Sequence, residues 1–216
     1  MIKNIFFDFD GVLAESVNVK TEAFRQLYLP FGEEIATKVV AHHLDNGGVS
    51  RFEKIKLYHQ QWLGIILNEQ EILEWADKFS DIVLKGVIEA PEVKGTVDFL
   101  NEYSSKYNCW IITGTPTEEI NIILEQRNWK HYFKQAFGSP QKKSHWTEYI
   151  IEQEKLNRSE IVFIGDATAD YDASQFSHLH FILRQTDDNL NLFSTYNGAR
   201  IDDLTTLEQE LQKLNS

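Results

Sequence analysis

Ile2-Lys3-Asn4-Ile5-Phe6-Phe7-Asp8-Phe9-Asp10-Gly11-Val12-Leu13 carries an apolar run that stops at two aspartates one residue apart, with glycine behind them. Ile5, Phe6 and Phe7 are apolar in succession instead of alternating with polar residues. That pattern belongs to a strand covered on both faces, as in a parallel sheet with helices on either side. Asp8 and Asp10 then fall just past the strand's carboxyl end, the edge at which open α/β sheets bind ligands. Two acids this close repel one another unless a proton or cation intervenes, because like charges a few ångströms apart raise a carboxyl pKa. A hard divalent cation such as Mg²⁺, which takes carboxylate, water and phosphate oxygens, relieves that repulsion and leaves the other acid free to exchange protons. The plain alternative is a solvated Asp-x-Asp turn closing the strand.

Downstream of this strand, from about Glu15 to Lys85, the periodicity is helical. Phe24, Leu27, Tyr28 and Phe31 share a face before Gly32 breaks the segment. Ser50-x-x-Glu53 reads as a capping box opening a helix with Phe52, Ile55, Tyr58 and Trp62 on one side. Asn68-x-x-Glu71 opens another with Ile72, Trp75, Ala76, Phe79 and Val83. Such aromatic stripes are core faces of a small helical bundle. From Ala90 onward strands alternate with helices, which predicts right-handed βαβ units. Strands are expected at 108–112, 134–137, 161–164 and 180–183, with helices starting near Lys94, Pro116 and Ser144. Thr115 is placed as an N-cap with Pro116 in the first turn, and Asp203 caps a last amphipathic helix bearing Leu204, Leu207, Leu211 and Leu214.

The expected fold is therefore α/β, a Rossmann-like parallel sheet core formed by residues 1–14 and 87–216, with an inserted α-helical cap at 15–86. Pro91 and the change of pattern around Gly86 mark the return to the core. An insertion directly after the first strand emerges beside Asp8 and Asp10, where it can serve as a lid.

Composition narrows the function. In 216 residues, 21 Lys plus Arg face 33 Asp plus Glu, a formal charge of −12 with no basic cluster, so nucleic acid and anionic membrane are poor partners. A phosphorylated substrate has to be drawn in by local cations and metal. No apolar run approaches membrane-spanning length and the chain opens almost directly on a strand, which predicts a cytoplasmic protein. A monomer or a weak homodimer is expected. Cys109, the single cysteine, lies in an expected core strand, so neither a disulfide nor a thiolate metal site can form within one chain.

Three further strand ends carry polar groups. Cys109-Trp110-Ile111-Ile112 runs into Thr113-Gly114-Thr115-Pro116, a hydroxyl with free backbone amides at a helix start, which suits a phosphate; alone, it also fits an ordinary capped turn. Phe137-Gly138-Ser139-Pro140 leads to Lys142-Lys143, either of which could neutralise a phosphoryl oxygen or simply be exposed. Ile161-Val162-Phe163-Ile164 is followed by Gly165-Asp166-Ala167-Thr168-Ala169-Asp170, a second acid pair behind an apolar strand. Acid pair, hydroxyl, lysine and acid pair at four successive strand ends are hard to attribute to chance.

In all four of these segments and in their order, the chain resembles the haloacid dehalogenase-like hydrolases over nearly its whole length. Asp8-Phe9-Asp10-Gly11-Val12, Thr113-Gly114-Thr115, Lys143 behind Gly138-Ser139-Pro140, and Gly165-Asp166-x-x-x-Asp170 match the family's motifs one to four. The helical insertion is similar to the cap of the phosphoglycolate phosphatase and β-phosphoglucomutase branch. Lys143 is preferred to Lys142 because its spacing from Pro140 agrees with the family pattern. The resemblance implies a Mg²⁺-dependent phosphatase acting on a small phosphomonoester, a sugar or organic acid phosphate such as phosphoglycolate. Asp8 would be the nucleophile that becomes an aspartyl-phosphate, and Asp10 the general acid and base. Mg²⁺ would be held by Asp8, the Asp10 carbonyl and Asp166, supported by Asp170. Thr113, Gly114 and Lys143 would bind the phosphoryl group. Asp10 argues against dehalogenation, since family dehalogenases lack an acid there.

Two other functions share parts of this pattern. A phosphosugar mutase would use the same Asp8 chemistry but return the phosphoryl group to a second hydroxyl. A receiver-like phosphoaccepting signalling module also gathers acids, a hydroxyl and a lysine at strand ends, though it has no large insertion after its first strand. On the cap side Glu15, Lys20, Asn46 and Arg51 are the polar residues expected nearest the substrate, each with an equally plain reading as a solvated side chain. His42 and His43 are adjacent, point to different sides of a helix, and make a poor metal pair.

Overall fold

The computed structural model describes residues 1–215. Among these, six parallel strands form one sheet: β1 (Asn4–Phe7), β2 (Asn108–Pro116), β3 (Ala136–Ser139), β4 (Ile161–Gly165), β5 (His180–Arg184) and β6 (Ala199–Ile201), in spatial order β3-β2-β1-β4-β5-β6. The chain walks outward from β1 in one direction and from β4 in the other. The carboxyl ends of β1 and β4 thus flank the topological switch point, the crevice in which such sheets bind ligands.

The unbroken apolar run of β1 is explained by cover on both faces. Phe6 packs edge-on against Trp110 and Phe163, with ring centroids 5.6 and 6.4 Å away. On that face lie α7 (Lys143–Glu154) and α8 (Thr168–Phe176). Phe7 turns the other way, toward Phe99 on α5 (Thr96–Tyr103) and Phe133. That side is completed by α6 (Thr117–Gln126) and α9 (Leu207–Lys213), through Ile120, Ile123, Leu207 and Leu211. Cys109 is buried, and burial pushes its thiol pKa up to about 12.

Between β1 and α5 the chain forms a helical layer of α1 (Val17–Tyr28), α2 (Glu33–Asp45), α3 (Arg51–Tyr58) and α4 (Glu69–Glu89). The aromatic stripes meet as expected: Phe24 and Phe79 rings lie 4.2 Å apart, Tyr28 and Tyr58 5.4 Å, and Tyr28 stacks on Trp75. Asn68 and Glu71 form the reciprocal capping box of α4. Ser50 caps α3 by accepting from the Phe52 amide at 3.2 Å.

Several boundaries differ from the sequence expectation. β2 runs on to Pro116, so Thr113, Gly114 and Thr115 belong to the strand, Pro116 is the N-cap and α6 starts at Thr117. Strand β3 is displaced two residues toward the C-terminus, and β6 is an additional edge strand of three residues, too short to leave a periodic signal. Gly86 does not break α4. It sits where α1 crosses, and a Cβ there would come 2.7 Å from Val19, so the glycine serves close helix packing. The helix continues past it to Glu89, where the Arg127 guanidinium donates to the carbonyls of Val87, Ile88 and Ala90 at 3.1, 2.9 and 2.7 Å. Carbonyls at a helix C-terminus lack intrahelical partners, and Arg127 supplies one. Among the described residues no helix is long and apolar enough to cross a membrane.

Candidate active site

β1 delivers Asp8 to the switch point, where it is only 2% exposed. Its Oδ1 accepts from the Phe9 amide at 2.7 Å and lies 3.0 Å from Lys143 Nζ. Asp10, two residues on, faces a different set of groups. Its carboxylate accepts from Ser16 Oγ at 2.6 Å and Thr115 Oγ1 at 3.1 Å, and pairs with Lys20 Nζ. Burial works against ionisation of Asp10, but Lys20 and the two hydroxyls outweigh it and hold the pKa below the ordinary carboxylate value. Lys20 is shared, since Nζ also donates to Thr115 Oγ1 at 2.6 Å.

Across the crevice β4 delivers Asp166, and the first turn of α8 delivers Asp170. Carboxylate oxygens of Asp8, Asp166 and Asp170 lie within 4.8 Å of one another. Lys143, at the start of α7, inserts between two of them, 3.0 Å from Asp8 and 2.5 Å from Asp170. Asp170 also accepts from the Asp166 and Ala167 amides at 3.2 and 3.0 Å. Burial, then Asp8 and Asp170, raise the pKa of Asp166 well above its ordinary value. Lys143 is driven upward: burial opposes its charge, but Asp170 and Asp8 prevail. Asp170 is pulled both ways, raised by burial and Asp8 and lowered by Lys143; the raising side wins because burial penalises the charge more than one ammonium favours it. Two positive charges are missing from this cluster. A divalent cation with oxygen ligands, Mg²⁺ in particular, fits both the donor set and the charge.

The helical layer closes over these groups at one loop. Gly48, with φ +73, sits at the turn between α2 and α3 in a conformation that side chains rarely adopt. A Cβ there would come 3.2 Å from Lys143 Nζ and from the Ala169 Cβ, while a Cβ on Gly114 would come 2.7 Å from the Gly48 carbonyl. The paired glycines therefore let the loop touch the sheet edge. Between loop and sheet lies a cavity of ≈ 350 Å³, with Asp8, Asp10, Thr113, Gly114 and Asp166 on its floor. His43, Arg51, Lys54, Phe24 and Phe79 form the opposite wall.

All the strand-end residues singled out in the sequence thus converge: Asp8, Asp10, Thr113, Gly114, Lys143, Asp166 and Asp170. The four cap residues divide. Lys20 enters the site, bound to Asp10. Glu15 lines the cavity but closes on Arg184, with Nη2 to Oε1 at 2.6 Å. Asn46 turns away: its Nδ2 donates to the His42 carbonyl at 2.9 Å, and its amide donates to the same carbonyl, so it finishes α2 and is not among the residues that line the cavity. Arg51 reaches the cavity wall, but its guanidinium is taken by Glu119, with Nη1 and Nη2 donating at 2.8 and 2.6 Å, and by Ser80 Oγ at 2.6 Å. Arg51 is thus engaged within the protein.

Residues not anticipated complete the surroundings. Arg184, the last residue of β5, donates to the Gly11 carbonyl at 3.2 Å and so braces the turn behind Asp10; its strand-end position is the available signal. Lys54 and His43 face the cavity from α3 and α2, with Lys54 Nζ 2.9 Å from His43 Nδ1. Lys54 lies one helical turn beyond Arg51, the spacing that shares a face.

Comparison with known proteins finds relatives in one family. A family described as haloacid dehalogenase-like hydrolase matches residues 5–183. A phosphoglycolate phosphatase of Photorhabdus laumondii is 30% identical over 181 residues, 81% of this chain and 76% of that protein. Among solved structures, a β-phosphoglucomutase from Clostridium difficile aligns with a TM-score of 0.79 at 19% identity, covering 100% of this chain and 98% of its own. A predicted phosphoglycolate phosphatase from Haemophilus somnus aligns at 0.75 and 16% identity, with 98% of each chain covered. At such identities the two structures speak to the fold.

Proposed function

This chain belongs to the haloacid dehalogenase-like hydrolases, and from that premise we propose that it is a Mg²⁺-dependent phosphatase of small phosphomonoesters, sugar or organic acid phosphates such as phosphoglycolate. The carrying observation is the division of labour between two aspartates two residues apart. Asp8 sits beside Lys143 at the acidic cluster, and Asp10 sits beside Lys20, Ser16 and Thr115.

In this reading an Asp8 carboxylate oxygen attacks phosphorus as the bond from phosphorus to the ester oxygen breaks, giving an aspartyl-phosphate. Asp10 protonates the departing oxygen, then takes a proton from the water that attacks phosphorus and frees Asp8. Lys20 has to withdraw from Asp10 when the leaving oxygen arrives, because a carboxylate held ionised has no proton to give. Lys143, the Thr113 hydroxyl and the Gly114 amide balance charge on the phosphoryl oxygens, the dominant requirement in phosphoryl transfer. Mg²⁺ would be held by Asp8, Asp166 and the Asp10 carbonyl, with Asp170 in support, and bound there would supply further positive charge to the phosphoryl group. Residues 15–86 would act as a cap over a core of 1–14 and 87–216, in a cytoplasmic monomer or weak homodimer.

Phosphate release measured across small sugar and organic acid phosphates, with Mg²⁺ present, tests this. At least one should turn over. Isomerisation of a phosphosugar without free phosphate would replace the phosphatase by a mutase.

A further inference from the structure

Two cations on α3 reach the cap wall of the cavity, and they differ in one respect. Arg51 is neutralised by Glu119, whereas Lys54 has no carboxylate partner among the described residues. Lys54 is 2% exposed. Its Nζ touches His43 Nδ1 at 2.9 Å and the His43 carbonyl at 3.5 Å, and lies 5.8 Å from the centre of the Phe24 ring. Burial, then Lys54, hold His43 neutral, with a pKa of about 2, so its Nδ1 can accept but contributes no negative charge. An ammonium out of water without a counter-ion costs stability, and a well-packed apolar side chain of similar length would avoid that cost.

The cavity supplies what Lys54 lacks only when it is filled. Lys54 opens onto the same ≈ 350 Å³ space as Asp8 and Thr113. With two donors on His43, to Nδ1 and to the carbonyl, the ammonium keeps the third for an incoming anion. Resting on the phosphatase reading above, we propose that Lys54 is a specificity-determining residue, whose ammonium receives the carboxylate at the far end of a small phosphorylated organic acid while its phosphoryl group lies over Asp8. A compact carboxylate suits a single point charge, where a planar fork would suit a bidentate partner. The arrangement selects phosphorylated acids over neutral phosphate esters of equal size.

The test compares 2-phosphoglycolate with ethyl phosphate, which lacks the carboxylate. Lys54→Met should shrink the ratio of their kcat/KM values about 10-fold or more, the scale of one charged hydrogen bond. Equal losses on both substrates would make Lys54 structural and overturn the proposal. A second measurement does not depend on turnover: calorimetric binding to the Asp8→Asn protein in Mg²⁺, with Lys54 intact. There 2-phosphoglycolate should bind at least about 10-fold more tightly than ethyl phosphate. Equal affinity, or no binding of either, would overturn the proposal even if Lys54→Met failed to fold. Absence of phosphate release from every ester, with the calorimetric preference intact, would instead remove the phosphatase reading and leave Lys54 as a carboxylate site.

Discussion

Arg51 and Glu119 close on each other through two hydrogen bonds of 2.8 and 2.6 Å, with both side chains nearly out of water. Arg51 opens α3 in the helical layer and Glu119 lies on α6 beside the sheet, so the pair ties the two layers together beside the cavity. Ser80 Oγ donates to Glu119 and accepts from Arg51, both at 2.6 Å, and the guanidinium rests 4.6 Å from the Phe79 ring centre. An arginine in the first turn of a helix opposes the helix dipole; here the Glu119 carboxylate compensates it.

Removing one partner leaves the other charge buried and unpaired. Arg51→Ala should therefore cost about 3–5 kcal/mol of stability, read from urea unfolding. A change smaller than about 1 kcal/mol, the range of exposed pairs, would show that water replaces the guanidinium.

Asp8→Asn preserves shape and removes the proposed nucleophile, so phosphate release should fall to background while the unfolding midpoint stays close to wild type. Substantial residual turnover would exclude an aspartyl-phosphate on Asp8.

Chelation with EDTA should abolish turnover and Mg²⁺ should restore it, because Asp8, Asp166 and Asp170 leave two negative charges uncompensated by Lys143. Ca²⁺ should inhibit, its larger and looser coordination shell placing the reacting groups badly. Turnover that survives chelation would remove the metal from the reaction.

Lys143 is 5% exposed between two acids, whereas Lys142 is exposed as the residue preceding α7. Lys143→Ala should accordingly depress kcat/KM far more than Lys142→Ala. The opposite ranking in steady-state kinetics would reassign the phosphate lysine.

The cavity floor is legible in the sequence because each part of it is local. An apolar strand with a polar residue at its carboxyl end can be read within about ten residues, and parallel topology brings those ends together. Arg51 cannot be read this way, since its partner Glu119 is 68 residues distant and on another layer. Asn46 escapes for a related reason: glycine-rich neighbours mark a loop near the site, but not that this side chain turns back to cap α2. Lys54 and Glu53 look alike in sequence as polar residues on a helix, and only packing of α3 against α2 buries one of them.

Lys54 supplies a prediction whose sign follows from linkage. Burial, then Lys20 and Lys143, push its pKa down to about 7, against about 10.4 in an unfolded chain. Between those values the unfolded chain binds a proton at Lys54 that the folded protein does not, so stability rises with pH across that window. Below about pH 7 both states carry the proton and the full burial penalty applies. Lys54→Met removes the ionisable group. Without ligand the variant should be more stable than wild type at pH 6, and its advantage should shrink by up to about 1.4 kcal/mol per pH unit as pH rises through 7 toward 9. His43 is held neutral first by burial, which Lys54→Met leaves in place. Urea unfolding of both proteins at several pH values measures the difference; a gap that does not change with pH would mean that Lys54 keeps its proton when folded.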